Sequence, residues 1–510
     1  MKWFSLNLLF LTLAGNWTVA PLGPVLVTGE SVKKPLPATA PGGIAVFDYN
    51  NDGRLDLFFP NGGALPSGPK APNTLLRNDG NFQFSNVTAE AGLTGRHYDL
   101  GAAAADYNND GHPDLLTLGL RGLALYRNQG NGKFTDATAA AKLDNQGRWS
   151  VAAAWFDMDN DGDLDLFVVN YVQWNPATEQ VCLVAGKPDF CHPRHYAPEP
   201  NALFRNNGDG TFTDVSVPSG IAAHKGKGMS VAAADFDADG LTDLYVTNDR
   251  TFAFYFRNLG QGKFEECAFD RGIAVPQDGN PVSGMGVSAE DYDNDGRPDI
   301  VYTALRDETF PLYRNLGKEF EETTGKSRLA PLSRAMAGWG IAFADLDNDG
   351  WKDILAARSD ALSATGGHAA KAKEPPGWFR NQGNGSFALG EGWAKLEPAM
   401  YRGLVAADLN ADGCLDVILT VLQANPRLLR SPCQGAGNWL SVDVRELGAR
   451  VRIGNQSRWV SSATGYASSY LGPLHFGLGA AKQVEVEVTW PDGRSRRIAT
   501  ETNRAIQLKP

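Results

Sequence analysis

Asp48-Tyr-Asn-Asn-Asp-Gly-Arg-Leu-Asp56 decides the architecture of this 510-residue chain, because the same nine-residue pattern returns six more times. It restarts at Asp106, Asp157, Asp235, Asp291, Asp345 and Asp408, always as Asp-x-Asp/Asn-x-Asp-Gly-x-x-Asp. A short apolar run follows each copy, such as Leu164-Asp-Leu-Phe-Val-Val169. One Asp/Asn/Gly turn of this composition is an ordinary solvated loop. Seven in the same context are a structural repeat, and a repeat sets the whole fold.

The residue types at this spacing point to a bound cation. Carboxylates at positions one, three and five of a tight loop converge on one point, and the Gly at position six permits the turn that brings them there. Position seven contributes a backbone carbonyl, so its side chain is free to vary. Position nine closes the cage from the start of the next strand. The predicted ligand sets run along the chain as follows: Asp48, Asn50, Asp52 and Asp56 with the Arg54 carbonyl; Asp106, Asn108, Asp110 and Asp114 with the His112 carbonyl; Asp157, Asp159, Asp161 and Asp165 with the Asp163 carbonyl; Asp235, Asp237, Asp239 and Asp243 with the Leu241 carbonyl; Asp291, Asp293, Asp295 and Asp299 with the Arg297 carbonyl; Asp345, Asp347, Asp349 and Asp353 with the Trp351 carbonyl; and Asp408, Asn410, Asp412 and Asp416 with the Cys414 carbonyl. An all-oxygen set suits Ca²⁺, which takes about 6–8 oxygens, better than Mg²⁺. With no His or Cys side chain among the ligands, zinc and copper are disfavoured. Up to seven Ca²⁺ would more than cancel the formal net charge of −11, so the acidity is mostly metal cage.

Each loop belongs to a longer unit. In the third copy, Trp149-Ser-Val-Ala-Ala-Ala-Trp-Phe156 precedes the loop, and Ala202-Leu-Phe-Arg-Asn206 and Phe212-Thr-Asp-Val-Ser216 follow. Four short strands per unit and seven units predict an all-β chain: a seven-bladed β-propeller followed by a small C-terminal β-domain. The seventh unit stops at Leu428-Leu-Arg430 without a fourth strand. An open blade leaves an unpaired edge, so residues 24–30, around Pro24-Val-Leu-Val-Thr28, are expected to supply the missing strand.

The loops and the recurring Leu-x-Arg-Asn strands, such as Leu76-Arg-Asn78 and Tyr126-Arg-Asn128 with their neighbours, resemble the FG-GAP/VCBS repeats of integrin-α-type propellers over roughly residues 40–430. The resemblance implies Ca²⁺ loops that stiffen one face while ligands are met on the other. Loop topology divides the faces in the same way: the metal loops join first to second strands, and the insertions at 60–73, 170–200 and 359–377 join second to third. After residue 435 the metal loops stop. Leu447-Gly-Ala-Arg-Val451, Gly465-Tyr466, Leu474-His-Phe-Gly-Leu-Gly479 and Trp490-Pro-Asp-Gly493 are similar to an ASPIC/UnbV domain, as in the cartilage acidic protein group. The expected domains are a signal peptide at 1–20, the propeller at 21–434 including the N-terminal closing strand, and the ASPIC/UnbV domain at 435–510. His475, between Leu474 and Phe476, reads as a structural histidine.

The N-terminal charge and short apolar run, ending in Thr18-Val-Ala20, read as a secretory leader too short to span a membrane. No later segment spans one. The expected location is secreted, extracellular or periplasmic, where disulfides persist. Cys182 and Cys191 flank one insertion and are expected to bridge; Cys414 and Cys433 form a second candidate pair, leaving Cys267 as a buried thiol. The 170–200 insertion, with Tyr171, Trp174, His192, His195 and Tyr196, is a candidate ligand-binding loop, its alternative being a clipped structural loop. These features favour a Ca²⁺-binding, non-enzymatic adhesion or binding scaffold for a protein or glycan partner on the face opposite the metal loops. The acidic pI near 5.2 excludes a basic nucleic-acid footprint. Two alternatives are a polysaccharide lyase or hydrolase, using Arg96, His97, His224, Lys225 or Lys227, and a docking subunit of a larger surface assembly.

Overall fold

The structure, a computed structural model, describes residues 5–6, 11–12 and 17–510 except 32, 66–68, 185, 361–372 and 434. It is all-β and of the propeller type. Each nine-residue loop joins the first two strands of one antiparallel sheet, and its ninth residue opens the second strand. The third sheet, for example, runs Ser150–Phe156, Asp165–Asn170, Ala202–Asn206 and Phe212–Asp214 in spatial order. The same order recurs in the sheets that begin at Ala45–Phe47, Asp99–Ala105, Gly228–Ala234, Val287–Glu290 and Gly338–Ala344. Runs such as Gly101-Ala-Ala-Ala-Ala105 are buried in full, as first strands crowded by their neighbours require.

The seventh sheet differs. Tyr401–Ala407, Asp416–Val421 and Arg427–Arg430 are followed by the N-terminal strand Thr18–Pro21, antiparallel to Arg427–Arg430 with Val19 opposite Leu429, and Leu11–Thr12 pairs beyond it at the edge. An N-terminal segment therefore does complete this sheet, but the strand is 18–21 rather than 24–30. Trp17, just before it, is buried against Trp378 and Trp393. Residues 22–27 instead cross from the seventh sheet to the first: the Leu22 and Leu26 N–H groups donate to Pro426 and Ala424 carbonyls, and Val27 N–H donates to Asn61 Oδ1. With its N–H groups divided between the seventh sheet's loop and Asn61 of the first, this stretch bridges two sheets and does not ladder along one. Of the expected leader, 1–4, 7–10 and 13–16 lie outside the described residues, while Thr18–Ala20 are part of the sheet.

Buried apolar clusters fill the seam between each sheet and the next. Tyr126 and Leu115 meet Phe47 and Phe58 between the second and first. Further clusters join third to fourth, fourth to fifth, fifth to sixth and sixth to seventh. In a last one, Val405, Ile418 and Leu428 of the seventh sheet meet Ile44, Val46 and Leu57 of the first. The cluster between second and third sheets continues without a break into the C-terminal module through Leu440, Val451, Phe476, Val488 and Trp490.

That module carries two sheets. One orders Gln456–Trp459, Arg450–Ile453, Gln483–Thr489 and Ser495–Glu501; the other sets Asn438–Asp443 between Leu474–Gly479 and the parallel strand Arg504–Gln507. The alternation at 484–488 does mark a half-buried strand. The module also sends a hairpin, Ala463–Thr464 and Ser468–Leu471, in among the first strands of the repeat sheets. Ser468–Leu471 pairs in parallel with Ala45–Phe47. At the tip, Ala102 N–H donates to the Ala467 carbonyl at 3.2 Å, and Tyr466 O–H donates to the Ala40 carbonyl at 2.8 Å with its ring edge-on to Trp339. Leu100, Trp149, Met229 and Met285, from four further strands or their flanks, converge on the same cluster. No helix among the described residues is long and apolar enough to cross a membrane.

Candidate metal centres and binding grooves

All seven loops fold alike. The first Asp accepts N–H bonds from positions five and six: Asp48 takes Asp52 N–H at 3.0 Å and Gly53 N–H at 2.8 Å, and Asp408 takes Asp412 and Gly413 at 3.2 and 2.8 Å. Position six holds φ near +83° to +94°, which only glycine adopts without strain. Position four is also left-handed, from Asn51 at +56° to Ala238 at +60°. Asn, with its short polar side chain, tolerates this region well, and it fills five of the seven positions. The position-seven N–H donates back to position five, as Arg54 does to Asp52 Oδ1 at 3.0 Å.

This geometry gathers carboxylate oxygens. In the third loop Asp157, Asp159 and Asp165 place oxygens within 4.8 Å of one another, and positions one, three and five do so in the fourth, fifth and sixth. Arginines of the third strands brace the outer oxygens: Arg257 holds Asp237 Oδ2 at 2.7 Å, and Arg380 holds Asp347 Oδ2 at 2.5 Å. At position three, five of the seven loops leave the other oxygen unpaired. Asn50, Asp159, Asp237, Asp347 and Asn410, all at position three, bury Oδ1 without a hydrogen-bond partner among the described residues. Five repeats of one orphaned acceptor at one position are a pattern, since buried acceptors are almost always paired. Burial, reinforced by neighbouring carboxylates, pushes Asp56, Asp114 and Asp165 up to about 8 and Asp243 to about 7, against N–H bonds that favour the charged form. Desolvated, crowded anions with unsatisfied inner oxygens are what a cation at the loop centre would relieve, so the residues fit a hard metal ion.

Position nine does more than close a cage. Asp56 accepts Asn78 N–H at 2.8 Å and Tyr49 N–H at 3.1 Å, tying the loop to its own third strand. The side chain of that Asn reaches onward: Asn78 Nδ2 donates to the Leu409 carbonyl in the seventh loop, Asn206 to Tyr107, Asn258 to Met158, Asn315 to Phe236 and Asn381 to Tyr292. With Asn128 donating to Tyr49, six of the seven loops are thus latched to a preceding one; the seventh has Ser431 in place of the Asn. The position-four Asn residues latch the other way, with Asn51 donating to the Gly111 carbonyl and Asn348 to Gly413. Both sets were visible as recurrent Asn in the sequence, but their partners lie in neighbouring repeats.

Cys182–Cys191 and Cys414–Cys433 are both disulfides, with Cα separations of 5.1 and 5.6 Å, and Cys267 is free and buried. The second bridge pins the position-seven residue of the last loop to the linker into the C-terminal module. Cys414 and Cys433 beside Asp412 are therefore no thiolate metal site.

The metal-loop side is covered. The C-terminal module lies against it. Arg445 donates to Asn51 Oδ1 at 2.9 Å, Ser457 N–H to Asp291 Oδ2 at 3.1 Å, and Gly437 N–H to the Asp347 carbonyl at 3.0 Å. Arg458 grips the Glu290 carboxylate. Between the module and the loops lies a cavity of ≈ 670 Å³ lined by Asp48, Asp106, Asp157, Asp408, Trp439, Arg445, His475 and Trp490 among others. His475 makes a 2.7 Å contact through Nε2 to Asn348 Oδ1 and stacks on Trp439.

On the other side, the 170–200 insertion separates its candidates. Tyr171 is buried and donates to Asp249 Oδ2 at 2.6 Å, and His192 Nδ1 accepts Arg194 N–H. Tyr171 is thus taken up inside the fold, while His192, part-exposed, has one ring nitrogen engaged within its own turn. Trp174, His195 and Tyr196 do come together, lining a groove of ≈ 450 Å³ with Trp149, Glu179 and Glu199. Of the candidate catalytic groups, Arg96 pairs with Asp136, His224 packs on Phe254 and Phe256, and Lys227 donates to the Pro193 carbonyl. These contacts tie them to separate surroundings.

Matches to the family described as FG-GAP-like repeat cover residues 48–117, 106–168, 186–246, 235–302 and 291–356, and a match to ASPIC and UnbV covers 444–510. Cartilage acidic protein 1 of Homo sapiens is 25% identical over 510 residues, spanning 91% of this chain and 71% of that protein. The Xenopus tropicalis protein is 24% identical over 496 residues, spanning 89% and 70%. Among solved structures, a lectin of Agrocybe aegerita that recognises non-reducing terminal N-acetylglucosamine aligns with TM-score 0.42 and 17% identity over 76% of this chain and 89% of its own.

Proposed function

The chain belongs to the FG-GAP-like repeat family, with an ASPIC and UnbV domain at its C-terminal end, and from that premise we infer that it is an exported, Ca²⁺-stiffened, non-enzymatic scaffold for protein or carbohydrate partners. The observation that carries the cation is the orphaned inner oxygen at position three, repeated in five loops. Positions one, three and five, with position nine and the position-seven carbonyl, would hold the ion. An oxygen-only donor set favours Ca²⁺. Bound there, the ion supplies charge neutralisation and rigidity; the chain's own Asn latches carry that rigidity from loop to loop.

The seven sheets form a closed seven-bladed ring in this reading, supported by the seam between seventh and first sheets and by the Asn78–Leu409 latch. Residues 17–434 make the ring and 435–510 the module upon it. Export is supported by the two disulfides, which persist in oxidising compartments. Partner recognition falls to the long loops opposite the metal loops.

The test is capture from glycan and secreted-protein arrays with and without EDTA, beside Ca²⁺ titration calorimetry. Calcium-dependent capture is the expected result. Turnover of a polysaccharide, or no heat on adding Ca²⁺ to the chelator-stripped protein, overturns it.

A further inference from the structure

The groove beside the 170–200 insertion is lined by three residues whose buried hydrogen-bonding atoms no other described residue satisfies. Trp149 is 2% exposed, and its indole N–H has no acceptor among the described residues. The Trp174 indole N–H is likewise unpaired. Glu179 is fixed through one oxygen only: Oε1 accepts Leu36 N–H at 3.0 Å and Tyr196 O–H at 3.1 Å. Its Oε2 is buried and unpartnered. All three residues line the same ≈ 450 Å³ space, a volume within the usual ligand range of about 300–1,000 Å³. The disulfide Cys182–Cys191 and the edge-on packing of Trp149 against Tyr171 and Trp174 hold the walls.

We propose that this groove binds one neutral saccharide unit. The reasoning is one of complementarity. Two fixed donors and one fixed acceptor call for a ligand that both accepts and donates hydrogen bonds. Hydroxyl and ring oxygens accept from indole N–H groups, and a hydroxyl donates to Glu179 Oε2. Aromatic walls suit the C–H faces of a sugar ring. Charge selects further. Arg148 lies 3.6 Å from Glu199 and is spent on it, which leaves Glu179 as the uncompensated charge. An anionic sugar, sulfate or phosphate would be repelled. Gln146, Gln173 and Asn175 add neutral amide donors and acceptors at the rim.

The inference rests on the binding-scaffold reading and names the ligand class for one of its loops. Its test is saturation-transfer NMR and calorimetry on the full chain in excess Ca²⁺, with methyl glycosides of glucose, galactose and mannose, the corresponding N-acetylhexosamines, and glucuronic acid as the anionic control. At least one neutral glycoside is expected to bind with a millimolar dissociation constant, with glucuronic acid silent. Trp149→Phe keeps a ring but removes the N–H, and Glu179→Gln keeps the shape but removes the charge; each is expected to weaken binding at least fivefold. Trp174→Phe, in a half-buried residue, serves the same purpose if the Trp149 variant fails to fold. No binding of any neutral glycoside at about 50 mM, where a millimolar dissociation constant would saturate the site, equal binding of glucuronic acid, or unchanged affinity in the variants overturns the proposal. Calcium-dependent capture of a protein partner that survives those results would leave the scaffold reading standing and sink the saccharide groove alone.

Discussion

His475 is held neutral by its surroundings. Burial lowers its affinity for a proton most, and the guanidinium of Arg458 and ammonium of Lys352 lower it further, to about 3. In the unfolded chain the same imidazole titrates near 6.5. The sign follows: below pH 6.5 the unfolded chain takes up a proton that the folded chain refuses, so stability falls as pH drops toward 3 and is at its full value above 6.5. Between pH 7 and 5 this single residue accounts for a loss of roughly 2 kcal/mol. His475→Asn should therefore flatten the decline of urea midpoints over that interval in Ca²⁺-loaded protein; an identical slope in the variant would refute it. The structural role of His475 was legible from its apolar neighbours Leu474 and Phe476. Its partner was not, because Asn348 lies 127 residues away in the sixth metal loop.

The unit of construction is the loop together with the Asn of its third strand. Asn258 shows what the element is worth. Its Nδ2 donates to the Met158 and Thr242 carbonyls at 2.8 and 3.2 Å, and its Oδ1 accepts Gly260 N–H at 2.9 Å, all in buried or half-buried settings. Asn258→Ala leaves two carbonyls and an N–H unpaired, an expected loss of roughly 2–4 kcal/mol at about 1–3 kcal/mol for each buried orphan less what water recovers. Asn384→Ala, in an exposed turn of the sixth sheet, removes only local bonds to Ser386 and should cost about 1 kcal/mol or less. Equal midpoints for the two variants in urea titration would show that the latch carries no load. At this scale the sequence was readable wherever chemistry is local: seven Gly turns, seven Asp cages and the Leu-x-Arg-Asn strands stand in plain order. The closing strand was misplaced for a physical reason. Val25 and Val27 look like strand residues but stand 44% and 38% exposed, while the less apolar Thr18–Pro21 pairs with Arg427–Arg430 along its whole length.

At the scale of the molecule, the C-terminal module changes what the repeats are. From sequence it was a separate domain after a linker, since nothing in Gly465-Tyr-Ala467 says that a hairpin enters the middle of seven sheets. In the structure its strand Ser468–Leu471 is hydrogen-bonded to the first sheet, Tyr466 sits among residues from several others, and its core is continuous with the seam of the second and third. Two bodies joined this way share one unfolding transition, because neither can lose its packing without stripping the other. The Asp-rich loops lie at the same boundary, so on the proposed cation reading a chelator acts on the whole. Each site filled at a hundredfold its dissociation constant adds about 2.7 kcal/mol. With an unfolding entropy of about 2.1 cal/mol/K per residue, a chain of this size gains ~2–3 °C in melting temperature per filled site. Scanning calorimetry should show one transition in Ca²⁺ that moves down by on the order of 10 °C or more in EDTA if four or more loops fill. Tyr466→Ala should lower that transition in both conditions, by the roughly 3–5 kcal/mol of a buried aromatic truncation, while keeping it single. Two resolved transitions in wild-type protein would mean that the hairpin is a contact rather than a bolt, and a melting temperature indifferent to EDTA would mean that the orphaned oxygens at position three do not hold a cation.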